Sequence, residues 1–377
     1  MKKLISKPQA LALLVLSLAG SANAQSSVSI FGMLDANVGR MKGAPTGVTP
    51  TDVSTTRQDA SGLTTSMWGL RGTEDLGGGF SANFELQSFI RNDTGQTGRS
   101  DAICAGPPSP APACSAVNVS ADPYFSKAAY VGLGTAEWGR VRLGQMTTAL
   151  WIMSTQTNAL ADSTTYSPIN LLMFIGAPLS GGTGWSQSMA YDSPTWGGIN
   201  FNVQKSFAEG SGGGNIGGRV SYAAGPLGLS LGYTNVKKDP VTFSDGTSRN
   251  NTKNMLAAVT YDFQVVKVFA HLGRIKSDGS TSATPADDNI THKIWEVSAS
   301  APFGQHRVMV AYGARKGDER FSSERRLGAV GYSYFISTKR TDVYAVTRID
   351  RNRAMGTAAN AVEAKGTSYA LGIRHFF

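Results

Sequence analysis

Apolar and polar residues alternate one by one along most of the chain. Between residues 27 and 38, side chains such as Val28, Ile30 and Val38 alternate with serine, aspartate and asparagine. The alternation returns in residues 366–377, and it is typical of a β-strand with one apolar and one polar face. Fourteen further runs of this kind lie between the two ends, centred on Trp68, Phe84, Tyr130, Val141, Ala190, Val203, Val220, Leu231, Val259, Val268, Trp295, Val310, Val330 and Ala345. The pattern therefore predicts sixteen strands.

Connectors of two kinds join the predicted strands. Short ones carry turn residues and fall at 75–78, 134–137, 194–197, 225–227, 302–304 and 337–339. Long ones are polar or proline-rich and fall at 41–61, 93–122, 146–184, 237–251, 277–290 and 353–364. Because long and short connectors alternate, the chain is predicted to form an antiparallel meander with turns at one end and loops at the other.

The composition of the two strand faces distinguishes a soluble all-β protein from a transmembrane β-barrel. A soluble sheet protein also alternates, but its inner face must form a dry core, and here the polar faces carry Asp, Arg, Lys and Glu in mid-strand. The apolar faces place aromatic residues near strand ends, namely Tyr233, Tyr261, Trp295, Tyr312, Tyr332 and Phe377. Such residues are typical of interfacial girdles. The pattern favours a closed transmembrane antiparallel β-barrel, whose sixteen strands would enclose an aqueous channel.

One long connector, residues 146–184, has a single formal charge, Asp162, and fits neither strand nor helix periodicity. A loop of this length inside a compact domain indicates either a functional loop or a wrong assignment. We interpret it as a loop that folds into the barrel and narrows the channel. Its apolar run at 171–175 fits this interpretation, although any such loop must also pack against the wall.

The first residues have the organisation of an export signal. Three lysines precede an apolar run at 11–18, and residues 22–24 read Ala-Asn-Ala. The run is far shorter than the roughly 20 apolar residues that a membrane-spanning helix needs. We expect a signal peptide at 1–24 and a mature barrel at 25–377. Export through an oxidising compartment permits a disulfide between Cys104 and Cys114, with a reactive thiol pair as the alternative.

Composition and motifs argue against several function classes. The formal net charge is +9, but basic residues are spread singly along the strands, which does not suit a nucleic-acid groove. The histidines His271, His292, His306 and His375 stand alone, and no H-E-x-x-H or C-x-x-C motif occurs. We expect no enzyme activity, no metal site and no cofactor. A barrel enzyme would need a nucleophile–base pair or paired carboxylates, and an adhesin would need much longer outer loops.

Several segments resemble the general porins of β-proteobacterial outer membranes. They are residues 26–39 (SSVSIFGMLDANVG), 66–89 (SMWGLRGTEDLGGGFSANFELQSF), 128–145 (AAYVGLGTAEWGRVRLGQ) and 372–377 (GIRHFF). Residues 336–345 (ISTKRTDVYA) are similar to the penultimate hairpin of that family. The resemblance extends from Ser26 to Phe377.

The resemblance implies a homotrimer of barrels in the bacterial outer membrane, surrounded by lipid and lipopolysaccharide. Each barrel would be a water-filled channel for passive diffusion of small hydrophilic solutes and ions. The third loop of such porins folds inward, and residues 146–184 lie where that loop belongs. The segment from Cys104 to Cys114 falls in the second loop, which reaches over a neighbouring subunit. The terminal Phe377 is implied to be part of the assembly signal.

The resemblance also suggests where the channel is narrowest. These porins usually place arginine at three positions near the third loop where this chain has Met67, Gln145 and Gly184. Three other positions of the wall keep a basic residue, namely Arg71, Lys127 and Arg374. The complete set of expected pore and constriction residues is Met33, Met67, Arg71, Lys127, Gln145, Asp162 and Arg374.

Two interpretations of the missing arginines are open. One is ordinary drift in a non-selective pore. The other is a substrate-selective channel whose weakly charged constriction favours neutral or aromatic small molecules and keeps a mild anion preference from Arg71, Lys127 and Arg374. Arg140 and Arg142 have a parity opposite to that of Gln145, so they are expected to face outward.

Overall fold

The computed structural model describes residues 27–42, 54–98, 124–174, 182–209, 214–237, 241–242, 248–280, 289–317, 324–337, 340–355 and 361–377. The long strands are β1 Ser27–Met41, β2 Met67–Gly77, β3 Phe80–Arg91, β4 Ala128–Thr135, β5 Gly139–Thr147, β6 Gly184–Asp192, β7 Ile199–Ser206, β8 Ile216–Ala224, β9 Leu227–Val236, β10 Ser248–Asp262, β11 Lys267–Ser280, β12 Ile290–Phe303, β13 His306–Gly317, β14 Glu324–Ser337, β15 Thr341–Met355 and β16 Ala361–Phe376. The described residues also form short strands at Thr55–Asp59, Gln96–Thr97 and Val241–Thr242, and helices α1 Ala149–Gln156 and α2 Pro168–Met173.

The long strands form one closed sheet. Each strand pairs antiparallel with the next in the chain, and β16 pairs back with β1. The closing register runs from Met33 opposite Phe376 to Arg40 opposite Tyr369. Closure allows the strands to pair their backbone groups within a bilayer, which offers no water to an open edge. All fourteen predicted strand centres lie within these strands, so the sixteen-stranded antiparallel barrel is confirmed.

The outer face of the barrel is apolar and the inner face is polar. On β1, Val28 and Ile30 are exposed on the outer face, whereas Asp35 and Asn37 are buried on the inner face. A bilayer solvates the apolar side chains, and a polar lumen holds water. The six aromatic residues predicted for the girdles are all exposed, as expected of an outer face, namely Tyr233, Tyr261, Trp295, Tyr312, Tyr332 and Phe377.

The third long connector lies close to its predicted bounds, because β5 ends at Thr147 and β6 begins at Gly184. It contains both helices, which the sequence did not predict. α1 begins after Thr148, whose hydroxyl accepts the amide of Trp151 at 3.3 Å. All six residues of α2 are buried, so no polar stripe marks its helical period in the sequence.

Some predictions concern other parts of the chain. The signal peptide at 1–24 and the cysteines Cys104 and Cys114 lie outside the described residues, so both remain predictions. Over the residues that are described, neither helix has the length and apolar character needed to cross a membrane.

The last residue closes the seam between the first and last strands. Phe377 exchanges two backbone hydrogen bonds with Gly32, at 3.1 and 3.0 Å. Its side chain is 45% exposed. The ring covers Gly32 so closely that an added β-carbon would lie 2.5 Å from the ring carbon Cζ. Phe377 therefore contributes both to the seam and to the aromatic girdle.

Deleting Phe377 is expected to lower the amount of assembled barrel in the outer membrane. The seam would lose two hydrogen bonds, and the terminal aromatic ring would become that of Phe376, which lies on the opposite face of the strand beside Arg374. The measurement is the fraction of heat-modifiable, folded protein in membrane extracts. Phe377→Trp keeps the backbone bonds and an aromatic ring, and it should assemble nearly as well as the unmodified chain. Equal assembly of the deletion variant would contradict the prediction.

Candidate functional site

The described part of the third loop, residues 148–174 and 182–183, packs against the inner wall of the barrel through apolar contacts. Leu150 and Met153 of α1 cover Gly232 on β9, where an added β-carbon would lie 2.7 Å from Leu150 Cδ1. Met173 of α2 covers Gly273 on β11, where an added β-carbon would lie 3.3 Å from the sulfur. Glycine at both wall positions lets the loop approach the backbone of the strands. The two helices are therefore held inside the barrel.

A polar network holds the middle of the loop. The Thr157 hydroxyl lies 2.8 Å from His271 Nε2, and His271 Nδ1 lies 2.7 Å from Glu296 Oε2. The amide of Ala159 donates to the Ser298 hydroxyl at 3.2 Å. The three wall residues of this network are buried on β11 and β12. Because these partners lie on the inner face, the loop crosses the lumen along this part of the wall.

Wall arginines hold the returning half of the loop. Arg315 on β13 donates to the carbonyl of Leu172 at 3.3 Å, and Arg325 on β14 donates to that of Leu171 at 3.5 Å. Arg348 on β15 donates to a carbonyl earlier in the loop. Leu171 and Leu172 lie in the last turn of α2, where carbonyls lack helical partners and the helix dipole favours positive charge. The loop thus contacts the wall from β7 to β15.

A second connector also enters the barrel. Residues 60–66, between β1 and β2, are all buried beside the third loop. The Ser163 hydroxyl donates to the carbonyl of Gly62 at 2.7 Å, and the amide of Thr64 donates to Asp35 Oδ2 at 2.9 Å. The sequence predicts a long connector at 41–61 but not this inward turn. The two inward segments support each other through direct hydrogen bonds.

The inner edge of the third loop carries Gln156 and Asp162. Gln156 is exposed and accepts a hydrogen bond of 2.6 Å from Arg219 on β8. Burial raises the pKa of the Asp162 carboxyl, and the positive charges of Lys127 and Arg374 oppose that rise. The one formal charge of the loop is therefore directed toward basic groups of the wall.

Arg140 and Arg142 on β5 lie on the inner face, which corrects the outward orientation expected for them. Both guanidinium groups bind the carboxylate of Asp192 on β6, Arg140 Nη2 at 3.1 Å and Arg142 Nε at 2.7 Å. Arg142 also covers the ring of Tyr130, 5.0 Å from its centroid. Arg219 lies within electrostatic reach of the same carboxylate. We call Arg140, Arg142, Arg219 and Asp192 the arginine cluster.

Gln145 lies on the outer face, which corrects its place among the expected constriction residues. It is opposite Ala129 in the register and shares its face with Val141 and Leu143, which are both exposed. Its side-chain amide donates to the carbonyl of Ser126. The prediction that Gln145 and the two arginines lie on opposite faces of β5 was right. The assignment of those faces to the lumen and to the bilayer was wrong. The apolar Val141 and Leu143 were the signal that could have identified the outer face.

Met33, Met67 and Arg71 lie on the inner face of β1 and β2. Met33 and Met67 are directly opposite each other, Met33 half-buried and Met67 only 5% exposed. Arg71 is exposed nearer the short-turn end, with its guanidinium carbon 4.7 Å from the centroid of the Phe31 ring. The buried Met67 is therefore covered by protein, and Arg71 remains exposed on the inner face.

Lys127 and Arg374 both lie near the loop carboxylate, but their charges are balanced differently. Lys127 precedes β4, with its ammonium 5.7 Å from the centroid of the Phe89 ring. Arg374 on β16 is 4% exposed and donates two hydrogen bonds of 3.0 Å to the Asp342 carboxylate. The charge of Arg374 is thus compensated within the wall. Gly184, the third position without arginine, is exposed where β6 begins.

A cavity of about 720 Å³ lies inside the barrel between the third loop and the short turns. It is lined by Gln156, Ala161, Lys267 and Arg307, among others. Polar and basic side chains suit water and hydrophilic solutes. Within the ranges that the structure describes, no group of three or more His, Cys, Asp or Glu side chains is placed to hold a metal ion.

A closed barrel with an apolar outer face, a polar lumen and an inward loop defines a channel through a membrane. The chain belongs to the Gram-negative porin family, whose model matches residues 10–354. It is an outer-membrane porin that forms a water-filled channel for passive diffusion, which confirms the class that the sequence predicted.

Three known outer-membrane proteins are similar to this chain. The chain is 29% identical to outer membrane porin protein 32 of Delftia acidovorans over 396 residues, which cover 98% of this chain and 100% of that protein. A solved anion-selective porin from Comamonas acidovorans has 26% identity and a TM-score of 0.71, covering 94% of this chain and 100% of the other. The trimer form of OmpT from Vibrio cholerae has 11% identity and a TM-score of 0.66, covering 93% and 99%, and shows the fold alone.

Proposed function

We propose that the channel favours small anions and that its narrowest part lies between the inner edge of the third loop and the arginine cluster. The observation that carries this proposal is that two guanidinium groups, of Arg140 and Arg142, bind the single carboxylate of Asp192, and that of Arg219 lies within its electrostatic reach. The hydrogen bond from Arg219 to Gln156 brings the cluster to the loop edge. Excess positive charge in a narrow passage with low-dielectric walls raises the local concentration of anions.

A named relative supports the same direction. The porin from Comamonas acidovorans, 26% identical to this chain, is described as anion-selective. The alternative, a weakly charged constriction that favours neutral or aromatic solutes, depended on Met67 and Gln145 facing the passage. Met67 is buried and Gln145 lies on the outer face, so the alternative loses its main support.

A planar bilayer under a salt gradient tests the preference. The unmodified channel is expected to give a reversal potential of the anion-preferring sign at low salt. Replacing Arg140, Arg142 and Arg219 together with glutamine should shift that potential toward cations, because Asp192 then keeps its negative charge without the neighbouring positive charges. The difference should fade near 1 M salt, where the screening length is about 3 Å.

The matched control is Lys205→Gln, which removes an exposed cation on the outer face of β7. It should leave the reversal potential unchanged. An unchanged potential in the triple glutamine variant would overturn the proposed role of the arginine cluster. A cation-preferring sign in the unmodified channel would overturn the anion preference itself.

We also propose that the porin assembles as a homotrimer, as its resemblance to general porins implies. One solved barrel of the same fold, OmpT, has a trimer form. Native mass spectrometry of the protein extracted in mild detergent tests this directly. A mass of three chains is the expected result, and a single chain at all concentrations would contradict it.

We assign no catalytic step to the channel. Among the described residues, Thr157, His271 and Glu296 come nearest to a nucleophile–base–acid series. The Thr157 hydroxyl also donates to the Met153 carbonyl at 2.8 Å, and the residue is 8% exposed. A hydroxyl that is buried and bonded to its own helix cannot reach a substrate. The series therefore fits the anchoring of the loop better than chemistry.

A further inference from the structure

Two cations on the inner wall near the short turns each cover a phenylalanine ring. Lys267 on β11 places its ammonium 5.6 Å from the centroid of the Phe269 ring, and Arg307 on β13 places its guanidinium carbon 5.4 Å from that of Phe335. At such distances the electron-rich face of a ring attracts a positive charge. Each pair therefore presents a cation and an aromatic surface side by side. We call them the two basic–aromatic pairs.

Both basic–aromatic pairs line the cavity between the third loop and the short turns. The small Ser300 on β12 stands between them. Ser300 lies opposite Lys267 in the register, and Pro302, the next residue on the same face of β12, lies opposite Arg307. Because adjacent strands are about 4.8 Å apart, the backbones of β11 and β13 are separated by about 10 Å across β12. This spacing leaves room for a small molecule over Ser300.

The third loop forms the other side of the cavity. Gln156, Asn158 and Ala161 contribute to its lining. The hydrogen bond of 3.2 Å from the Ala159 amide to the Ser298 hydroxyl joins this side to the wall. The volume of about 720 Å³ lies within the range of about 300–1,000 Å³ that is usual for small-molecule sites. The cavity is therefore large enough, and sufficiently enclosed, to hold a solute on its way through the channel.

The lining carries one formal positive charge in excess when His306 is neutral. Lys267 and Arg307 supply two cations, and Asp262 supplies one carboxylate. Asp262 lies opposite Lys267 in the register, and its Oδ1 accepts the amide of Gln264 at 2.8 Å. The Nε–H group of Arg307 is buried and has no acceptor among the described residues. A solute with a single negative charge would balance the lining and supply that acceptor.

We propose that this cavity binds aromatic monocarboxylates, with the carboxylate on the Arg307 guanidinium and the ring against Phe335 and Phe269. A guanidinium can donate two parallel hydrogen bonds to a carboxylate, and aromatic rings attract each other beyond the effect of their buried area. The inference rests on the anion preference proposed above, because the solute also passes the arginine cluster. Gln156, which accepts the hydrogen bond of Arg219, lines the same cavity.

Binding of benzoate inside the open channel at pH 7 tests the proposal. A solute that resides in the lumen interrupts the chloride current, so the excess current noise of single channels in a planar bilayer gives its dissociation constant. Benzoate is expected to bind about fivefold more tightly than cyclohexanecarboxylate, which has the same charge and nearly the same size but no aromatic ring. Benzamide has the ring without the charge, and it should bind about tenfold more weakly than benzoate.

Two substitutions test whether the binding takes place in this cavity. Arg307→Gln should weaken benzoate binding about tenfold, and Arg307→Lys, which keeps the charge but not the planar pair of donors, should weaken it less. Phe335→Leu keeps an apolar side chain and should reduce the preference for benzoate over cyclohexanecarboxylate. The matched control is Lys205→Gln, which removes the cation of a similar pair on the outer face, 6.0 Å from the centroid of the Phe207 ring. It should leave all three affinities unchanged.

Two results would overturn the proposal. One is equal affinity of the unmodified porin for benzoate and cyclohexanecarboxylate, or for benzoate and benzamide, which requires no variant. The other is unchanged benzoate binding in an Arg307→Gln channel whose chloride current shows that it is folded. The anion preference is measured separately, with chloride under a salt gradient. An anion-preferring reversal potential without benzoate binding refutes this inference alone, whereas a cation-preferring potential refutes the anion preference whatever benzoate does.

Discussion

Replacing Arg374 with alanine is expected to lower the free energy of unfolding of the barrel by about 3–5 kcal/mol. The guanidinium donates two hydrogen bonds of 3.0 Å to Asp342 on the adjacent strand, and the two side chains are 5% and 0% exposed. Alanine would leave Asp342 as a buried charge without its partner. Asp35, which lies opposite Arg374 on β1, would lose the same neighbouring cation.

The midpoint of urea unfolding in detergent, followed by loss of the heat-modifiable band, measures this effect. The double variant Arg374→Ala with Asp342→Ala removes both charges and should regain most of the lost stability. A double variant that is no more stable than the single one would show that the buried charge is not the cause. The arginine cluster is untouched by either change, so the ion preference should be retained.

Replacing Leu172 with alanine is expected to loosen the third loop while the barrel stays closed. Leu172 is fully buried in an apolar core that it shares with Ile169, Leu256 and Ile294. A buried Leu→Ala change costs about 2–5 kcal/mol. Strand pairing is not involved, so the cost falls on the docking of the loop. Single-channel recordings should show larger and noisier currents, because a loosened loop narrows the passage less.

The matched control is Ile152→Ala, a half-buried residue on α1 of the same loop. It should keep a conductance near that of the unmodified channel. A Leu172→Ala variant with normal, quiet conductance and a lower unfolding midpoint would show that the barrel, and not the loop, carries the cost. Both variants should migrate as folded barrels before heating.

Most of the fold could be predicted because every strand of such a barrel repeats one local pattern. The bilayer requires apolar side chains and the lumen requires polar ones. The alternation within each strand therefore shows which of its residues face the bilayer and which face the lumen. On β5 the prediction assigned the two faces of the strand the wrong way round. A family motif suggested that Gln145 faces the lumen. The apolar and exposed side chains of Val141 and Leu143 show that this face contacts the bilayer.

The candidate site was predicted less completely, because pairing between distant residues decides it. Nothing local distinguishes Arg374, which Asp342 balances, from Arg219, which reaches Gln156 at the loop edge. The inward turn of residues 60–66 depends on Asp35 and on the third loop, and its small polar residues have no period of their own.

The sequence by itself determined the class of membrane protein, the number and order of the strands and the position of the long third loop. Each of these follows from alternation and turn residues within a few positions of one another. Only the tertiary structure decided which basic groups remain open to the passage. Burial of Met67, pairing of Arg374 and assembly of the arginine cluster around Asp192 all require strands and loops that meet after the barrel has closed.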